Sequence, residues 1–81
     1  METSWQIRLS NKQRLLFNLL DKNRGVTVGM KQIKNHIWKS DGVPDQRVYI
    51  LVSRLRRKLP EYLEIATIQA QGFTLRYRDQ R

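Results

Sequence analysis

The chain has 81 residues, and its 16 lysines and arginines against 7 aspartates and glutamates give a formal net charge of +9. This length predicts one domain, residues 1–81, with one core, and an apolar fraction of 40% is too high for a disordered tail. The lack of cysteine excludes disulfides, thiol catalysis and a zinc finger, and the basic balance favours a polyanionic partner such as nucleic acid.

The N-terminal part of the chain predicts a short strand and then a helix. Residues 5–9 alternate between apolar and polar side chains, a pattern that favours a half-buried strand at the edge of a small sheet. Ser10 and Gln13 have the spacing of a capping box, so a helix should begin there and end at residues 23–25. Residues 26–28 are β-branched and predict a short extended link.

A second helix of about ten residues is predicted after this link. Met30, Ile33 and Ile37 recur at spacings of three and four, and Lys34 lies on the outer face of the predicted helix. The helix should end near Trp38, whose indole we assign to core packing. A turn that contains glycine and proline then separates it from the next helical pattern.

Residues 45–59 give the clearest amphipathic pattern in the chain. Their apolar positions fall within about 100° of one another around a helix. These positions are Val48, Leu51, Val52, Leu55 and Leu59. Pro44 suits the first turn of a helix, Asp45 favours its N-terminus through the helix dipole, and Pro60 ends it. The sequence therefore predicts a third helix with one buried face and one basic face.

Residues 63–77 have a strand-forming composition around the turn-like segment Gln-Ala-Gln-Gly, and they predict a β-hairpin. On its second strand, one alternating set of side chains should be buried and the other solvated. The buried set is Phe73, Leu75 and Tyr77, and the solvated set is Thr74, Arg76 and Arg78. The predicted fold class is α+β, with a short N-terminal strand, three helices and a C-terminal hairpin, which is the order of a winged helix-turn-helix.

In such a fold the third helix, residues 45–59, lies in the major groove of DNA, and the hairpin, residues 65–77, forms the wing. Between Gln46 and Pro60 there is no acidic residue, whereas a merely solvated helix face, the alternative interpretation, normally mixes both signs of charge. Ile50 lies on the polar face, where it suits contact with a thymine methyl group. The predicted DNA-binding residues are Gln46, Arg47, Ile50, Ser53, Arg54, Arg56, Arg57, Gln69, Gln71 and Arg76.

Several strings follow one another in a characteristic order: LSNKQRLLFNLL, IKNHIW, VSRLRRKL, IATI and GF. In this order and spacing the chain resembles the DNA-binding effector domains of OmpR/PhoB-type response regulators and the related ToxR/CadC-like regulators. The resemblance covers nearly the whole chain, and VSRLRRKL is its most specific part. It implies that Arg47, Ile50 and Arg54 lie near bases. It also implies that Ser53 and Arg56 contact backbone phosphates.

Three features depart from these relatives. The sheet that precedes the first helix in the family is reduced here to residues 5–9. A chain of 81 residues leaves no room for a receiver domain, so control by phosphorylation is not implied. The wing carries Gln69, Ala70, Gln71 and Gly72 where many relatives have Arg-Gly-x-Gly. Because glutamine brings no charge to a narrow minor groove, we expect the wing to add less affinity.

These observations predict a bacterial, sequence-specific transcriptional regulator that binds double-stranded DNA as a homodimer, on half-sites about 10 to 11 base pairs apart. Residues 39–44 correspond to a loop with which relatives touch RNA polymerase, so contact with polymerase or another transcription factor is a further expectation. No apolar run is long enough for a signal peptide or a membrane span, and we expect a cytoplasmic, nucleoid-associated location.

Two alternatives remain open. A winged-helix adaptor would use the basic surface to bind a protein such as a transcription factor, and a nucleoid or excision-type architectural protein would bind DNA with little base preference. Enzyme activity is not expected, because His36 has no acidic or cysteine neighbour at helical spacing and the carboxylates are scattered. For the same reason we expect no metal and no cofactor.

Overall fold

The computed structural model describes residues 4–78. In chain order its elements are a 3-10 helix (Ser4–Arg8), α1 (Asn11–Lys22), β1 (Val28–Gly29), α2 (Met30–Trp38), α3 (Asp45–Lys58), β2 (Leu63–Ile68) and β3 (Gly72–Tyr77). Three helices and an antiparallel sheet of order β1-β3-β2 confirm the predicted α+β, winged-helix fold. The outermost residues of the predicted domain, 1–3 and 79–81, lie outside the described residues.

The capping box predicted for α1 is present. The backbone N–H of Ser10 donates to Gln13 Oε1 at 2.9 Å, and the backbone N–H of Gln13 donates to Ser10 Oγ at 3.2 Å. These two bonds satisfy backbone donors that have no partner within the helix itself. At the other end, Asn23 caps the helix, within the segment predicted to stop it.

The bounds of α2 and α3 agree with the sequence pattern to within a residue. α2 ends at Trp38, and Lys39 caps it in the left-handed conformation, with φ of 61°. α3 begins at Asp45, although Pro44 is its N-cap and not part of its first turn. Leu59 is the C-cap of α3 and is half-buried, so the chain turns toward the hairpin there.

The strand predicted for residues 5–9 is wrong, because a 3-10 helix stands there. The two side chains of this segment that contact the core are four residues apart, since Leu9 is buried and Trp5 is partly buried against the core, whereas Ile7 is 77% exposed. The ring of Trp5 meets that of Phe17 in α1 edge to face, with 4.9 Å between the ring centroids. Contact with α1 therefore determines the conformation of this segment.

β3 is the central strand of the sheet and pairs with both neighbours. Its register with β2 sets Leu63 opposite Tyr77. β1, which the sequence predicted as an extended link, becomes a third strand by pairing Val28 with Phe73. Gly72 has φ of 156°, and a Cβ atom at this position would overlap the carbonyl group of Val28. Glycine is therefore required where β1 approaches β3.

One hydrophobic cluster joins all three helices to the sheet. Its most deeply buried members are Leu16 and Leu20 from α1, Val28 from β1, Ile33 from α2, Val48, Val52 and Leu55 from α3, and Phe73 and Leu75 from β3. The predicted apolar faces of α2 and α3 are thus confirmed. α3 has one face fixed on the core, which leaves its opposite face to solvent.

Three side chains lie on the opposite side from the prediction. Tyr77, predicted to be buried, is 66% exposed, and its ring lies 4.7 Å from the guanidinium carbon of Arg24 at the surface. Thr74, predicted to be solvated, is buried on the central strand, where neighbouring chain segments flank it on both sides. Lys34, predicted on the outer face of α2, is buried because its ammonium group pairs with Asp45.

Candidate nucleic-acid interface

α3 presents one continuous exposed face, because its apolar stripe is packed on the core. The exposed residues of α3 include all of its predicted DNA-binding positions: Gln46, Arg47, Ile50, Ser53, Arg54, Arg56 and Arg57. A shallow, open concavity along the helix is lined by Gln46, Tyr49, Ile50, Ser53, Arg54 and Arg57. Ile50 is 44% exposed in the middle of this polar surface. Its position suits an apolar contact with a ligand that covers the face.

The charges on the outer face of α3 are of one sign. Asp45 is the acidic residue in the first turn, and its carboxylate pairs with Lys34 of α2. Within residues 4–78, no ion pair involves Arg47, Arg54 or Arg57. Their guanidinium groups can therefore donate to an external acceptor, and the planar fork of arginine matches both phosphate oxygens and the edge of guanine.

The side chain of Arg56 points toward the hairpin and not along the concavity. Its Nε and Nη2 atoms donate to the backbone carbonyl of Ile65 at 3.0 and 2.6 Å, and Nη2 also donates to Thr67 Oγ1 at 3.0 Å. These bonds join α3 to β2. A phosphate contact for Arg56 stays a prediction. Such a contact would use the guanidinium N–H groups that are not bonded to the hairpin.

The tip of the hairpin is a tight turn that exposes two of the predicted residues. The backbone N–H of Gln71 donates to the carbonyl of Ile68 at 2.9 Å, and Ala70 between them is left-handed, with φ of 65°. The side chains of Gln69 and Gln71 are exposed. The turn therefore presents amide groups and no charge to whatever lies beside the wing.

Arg76, the third residue predicted on the hairpin, lies near the opposite end of β3 from the turn. Its Nε atom donates to Glu64 Oε2 at 2.7 Å, and Arg78 lies 3.9 Å from the other oxygen of the same carboxylate. Gly72 and Arg76 are four positions apart along the strand, which is about 13 Å. The structure therefore does not bring Arg76 together with the tip of the wing.

Tyr49 belongs to the same surface, although it was not among the predicted residues. It is 52% exposed, lines the concavity of α3, and also lines a small cavity of about 180 Å³ with Gln71 and Gly72. Its ring packs edge to face on that of Phe73, with 6.0 Å between centroids. One indication of this role was present in the sequence, since Tyr49 is an aromatic residue just outside the apolar stripe of its helix. Its packing on the hairpin could not be inferred from neighbouring residues in the sequence.

Lys34 links the two helices that would form the helix-turn-helix. Its Nζ atom donates to Asp45 Oδ1 at 2.6 Å, and its side chain is 11% exposed. A lysine this buried needs a partner for its charge, and breaking such a pair leaves the cation uncompensated. The pair therefore fixes the start of α3 relative to α2.

The rest of the described residues meet the requirements of neither a metal site nor a membrane span. Within residues 4–78, no group of His, Cys, Asp and Glu side chains converges as a metal site requires, and His36 is exposed on α2. No helix in this part of the chain is long and apolar enough to cross a membrane. A hydrogen bond to Asp21 raises the pKa of Arg24, which lies beyond the end of α1 and away from α3 in sequence.

Comparison with known proteins gives a family and a similar structure. The family described as "Transcriptional regulatory protein, C terminal" matches residues 4–75, which include all three helices and most of the hairpin. Among solved structures, the chain is similar to the DNA-binding domain of Bacillus subtilis CssR, with a TM-score of 0.76 and 34% sequence identity. This similarity covers 85% of the present chain and 78% of that chain. No curated protein matched.

Proposed function

Because the chain belongs to the OmpR/PhoB-type family of transcriptional regulatory protein C-terminal domains, which bind DNA and are not enzymes, we propose that it recognises a specific DNA sequence. In this proposal α3 lies in the major groove of double-stranded DNA, and the hairpin of β2 and β3 lies beside it as the wing. The chain is a DNA-binding transcription regulator, and the proposal concerns how it recognises its site.

The observation that carries this proposal is the exposed face of α3, which is basic, free of carboxylates and interrupted by one isoleucine. Arg47 and Arg54 would each donate a pair of hydrogen bonds to guanine, and Ile50 would contact a thymine methyl group. Each such base contact discriminates by about 1–3 kcal/mol. Ser53, together with Gln46, would add hydrogen bonds to bases or phosphate oxygens.

The wing has a smaller role in this proposal. Gln69 and Gln71 can bond to adenine or to phosphate but add no charge, so their contribution to affinity is weak. Arg56 holds the hairpin against α3 and thereby sets where the wing meets the backbone. Arg76 is paired with Glu64 and would have to exchange that partner to reach DNA.

The experiment that tests the proposal is selection from a pool of randomised DNA duplexes at two salt concentrations, followed by sequencing of the retained molecules. A shared motif is the expected result. Salt-sensitive retention without a motif would favour the architectural alternative, because phosphate contacts alone carry no sequence information. No retained DNA at either salt concentration would favour a winged-helix adaptor.

Replacement of Arg54 tests the role given to the face of α3. Arg54→Ala should relax the preference at one or two base pairs of the selected motif, by about 5- to 150-fold if a bidentate contact with guanine is lost. Lys22→Ala, at the end of α1, is the control and should leave the motif unchanged. Uniform weakening of binding to all sequences by Arg54→Ala would mean that Arg54 contacts phosphate.

We also propose that two copies occupy adjacent half-sites, as the modest affinity of a single small module requires. The exposed loop between α2 and α3, residues 39–44, is then free on the complex and would be the contact for RNA polymerase or another transcription factor. A protein with this function works where the bacterial nucleoid is, in the cytoplasm.

A further inference from the structure

The basic surface of α3 continues past the concavity on its outer face. Around the C-terminal turn of the helix lies a second open depression, lined by Trp5, Arg8, Arg57 and Lys58. Three of these residues are cations and none is acidic. Arg57 lines both depressions, so the two surfaces meet at this residue.

Two side chains in this second depression are held in place by the fold. The ammonium group of Lys58 donates to the backbone carbonyl of Arg8 at 2.8 Å and to Gln13 Oε1 at 3.0 Å. The ring of Trp5 is fixed by its edge-to-face contact with Phe17. These contacts keep the 3-10 helix against the end of α3 and leave one proton of the ammonium group for a further acceptor.

The cations of this depression have no acidic partner, unlike several other cations of the described residues. Arg24 pairs with Asp21, and Lys34 pairs with Asp45. Glu64 pairs with Arg76 and lies within 3.9 Å of Arg78. Within residues 4–78, no ion pair involves Arg8, Arg57 or Lys58. Like charges that line one depression repel one another, so the free energy of the arrangement falls when an anion binds among them.

We propose that the DNA interface extends onto the 3-10 helix, where Arg8, Arg57 and Lys58 together hold one phosphate diester of the DNA backbone. This inference rests on the proposed function. From Ile50 to Arg57 the helix rises about 10 Å, close to the width of a major groove, which is about 12 Å. With Ile50 against the bases, the C-terminal turn of α3 therefore reaches the phosphates that flank the groove.

Arg8→Gln tests this extension, because the side chain of Arg8 makes no hydrogen bond within residues 4–78 and only its backbone carbonyl supports the fold. DNA binding is measured by titration at four salt concentrations, on the selected motif and on a scrambled duplex. Removal of one of the three cations should weaken binding to both duplexes, by up to about 8-fold at 0.1 M salt, and the slope of log K against log salt should become shallower, by at most about 0.9, which is the value for complete loss of one phosphate contact.

Lys22→Gln is the matched control, since it removes one positive charge at the far end of α1. It should change the slope much less than Arg8→Gln, and thermal unfolding should be the same for both variants and the wild type. An equal effect of the two substitutions would overturn the inference, as would a loss confined to the selected motif. If the wild type binds neither duplex, the proposed function itself fails, which is a distinct result.

Discussion

Arg56 and Arg57 are neighbours in α3, but their side chains leave the helix about 100° apart. The guanidinium group of Arg56 reaches the carbonyl of Ile65 and the hydroxyl of Thr67 in β2. Arg57 has no ion pair within residues 4–78 and lines both basic depressions. One arginine therefore stabilises the position of the wing, and its neighbour lies exposed on the surface that we propose binds DNA.

This difference predicts that one alanine substitution mainly lowers the stability of the domain and the other mainly lowers its affinity for DNA. Arg56→Ala should lower the free energy of unfolding by about 1–2 kcal/mol, because it removes charged hydrogen bonds to a partly buried carbonyl. Arg57→Ala, the matched control, should change stability by less than about 0.5 kcal/mol, since it removes an exposed side chain. Urea denaturation measures both values.

DNA titration of the same two variants completes the comparison. Arg57→Ala should lose affinity for DNA while remaining fully folded. If Arg56→Ala instead leaves stability unchanged and loses affinity to the same extent as Arg57→Ala, then Arg56 acts on phosphate and the hairpin does not depend on it.

Among the elements, the sheet depends on a single close approach. β1 has two residues, which pair with Phe73 and Gly72 of β3. At Gly72 there is room only for a hydrogen atom between its Cα and the carbonyl of Val28. Val28 is itself in the hydrophobic core. The position of β1 therefore couples the turn end of the wing to the start of α2, which follows β1 without a loop.

Gly72→Ala should separate β1 from β3 and destabilise the domain by more than about 3 kcal/mol, through the steric overlap and the positive φ together. Gly42→Ala is the control, because a Cβ at Gly42 meets only the Ser40 hydroxyl at an ordinary 3.5 Å. Thermal unfolding compares the two variants, and exchange of the Val28 amide reports the local opening. Equal stability of both variants would show that the sheet tolerates a side chain at Gly72.

The helices could be predicted from the sequence because their determinants are local. The capping box of Ser10 and Gln13, the apolar periodicity of α3 and the prolines beside it all act within a few residues. The outer face of α3 followed from the same periodicity, since the polar side of an amphipathic helix is fixed once its apolar stripe is known. These features required no knowledge of tertiary contacts.

The errors all involve partners that are distant in the sequence. The alternation in residues 5–9 favoured a strand, but the contact of Trp5 with Phe17 produced a 3-10 helix. A lysine on a helix predicts exposure, and Lys34 is buried because Asp45 lies 11 residues away in sequence and beside it in space. The contacts of Arg56, Arg76 and Tyr49 with the hairpin were equally out of reach of a local pattern.

At the scale of the whole molecule, the dimensions of the domain determine whether two copies on adjacent half-sites can touch. The Cα atoms extend over 37 × 26 × 19 Å. Half-sites one helical turn apart have centres separated by about 34–36 Å. Two copies on the same face of the duplex can therefore touch when their 37 Å axes lie along the DNA, whereas their shorter axes of 26 and 19 Å would leave a gap at this separation.

Cooperative binding should consequently depend on the spacing of the half-sites. With centres about 10–11 base pairs apart, the second copy should bind more tightly than the first. Insertion of about 5 base pairs turns the second half-site to the opposite face of the duplex, so the contact between the copies and the cooperativity should both disappear. Titration of duplexes with one and with two half-sites, followed by gel shift and sedimentation, measures the effect.

A third duplex separates contact between the copies from coupling through the DNA. Insertion of a full turn restores the face but sets the centres about 70 Å apart, well beyond the 37 Å length of one copy. Contact between copies predicts no cooperativity on this duplex, whereas DNA bending can act over the longer distance because the duplex is stiff over about 150 base pairs. Equal affinity per site on all three duplexes would show that the copies bind independently.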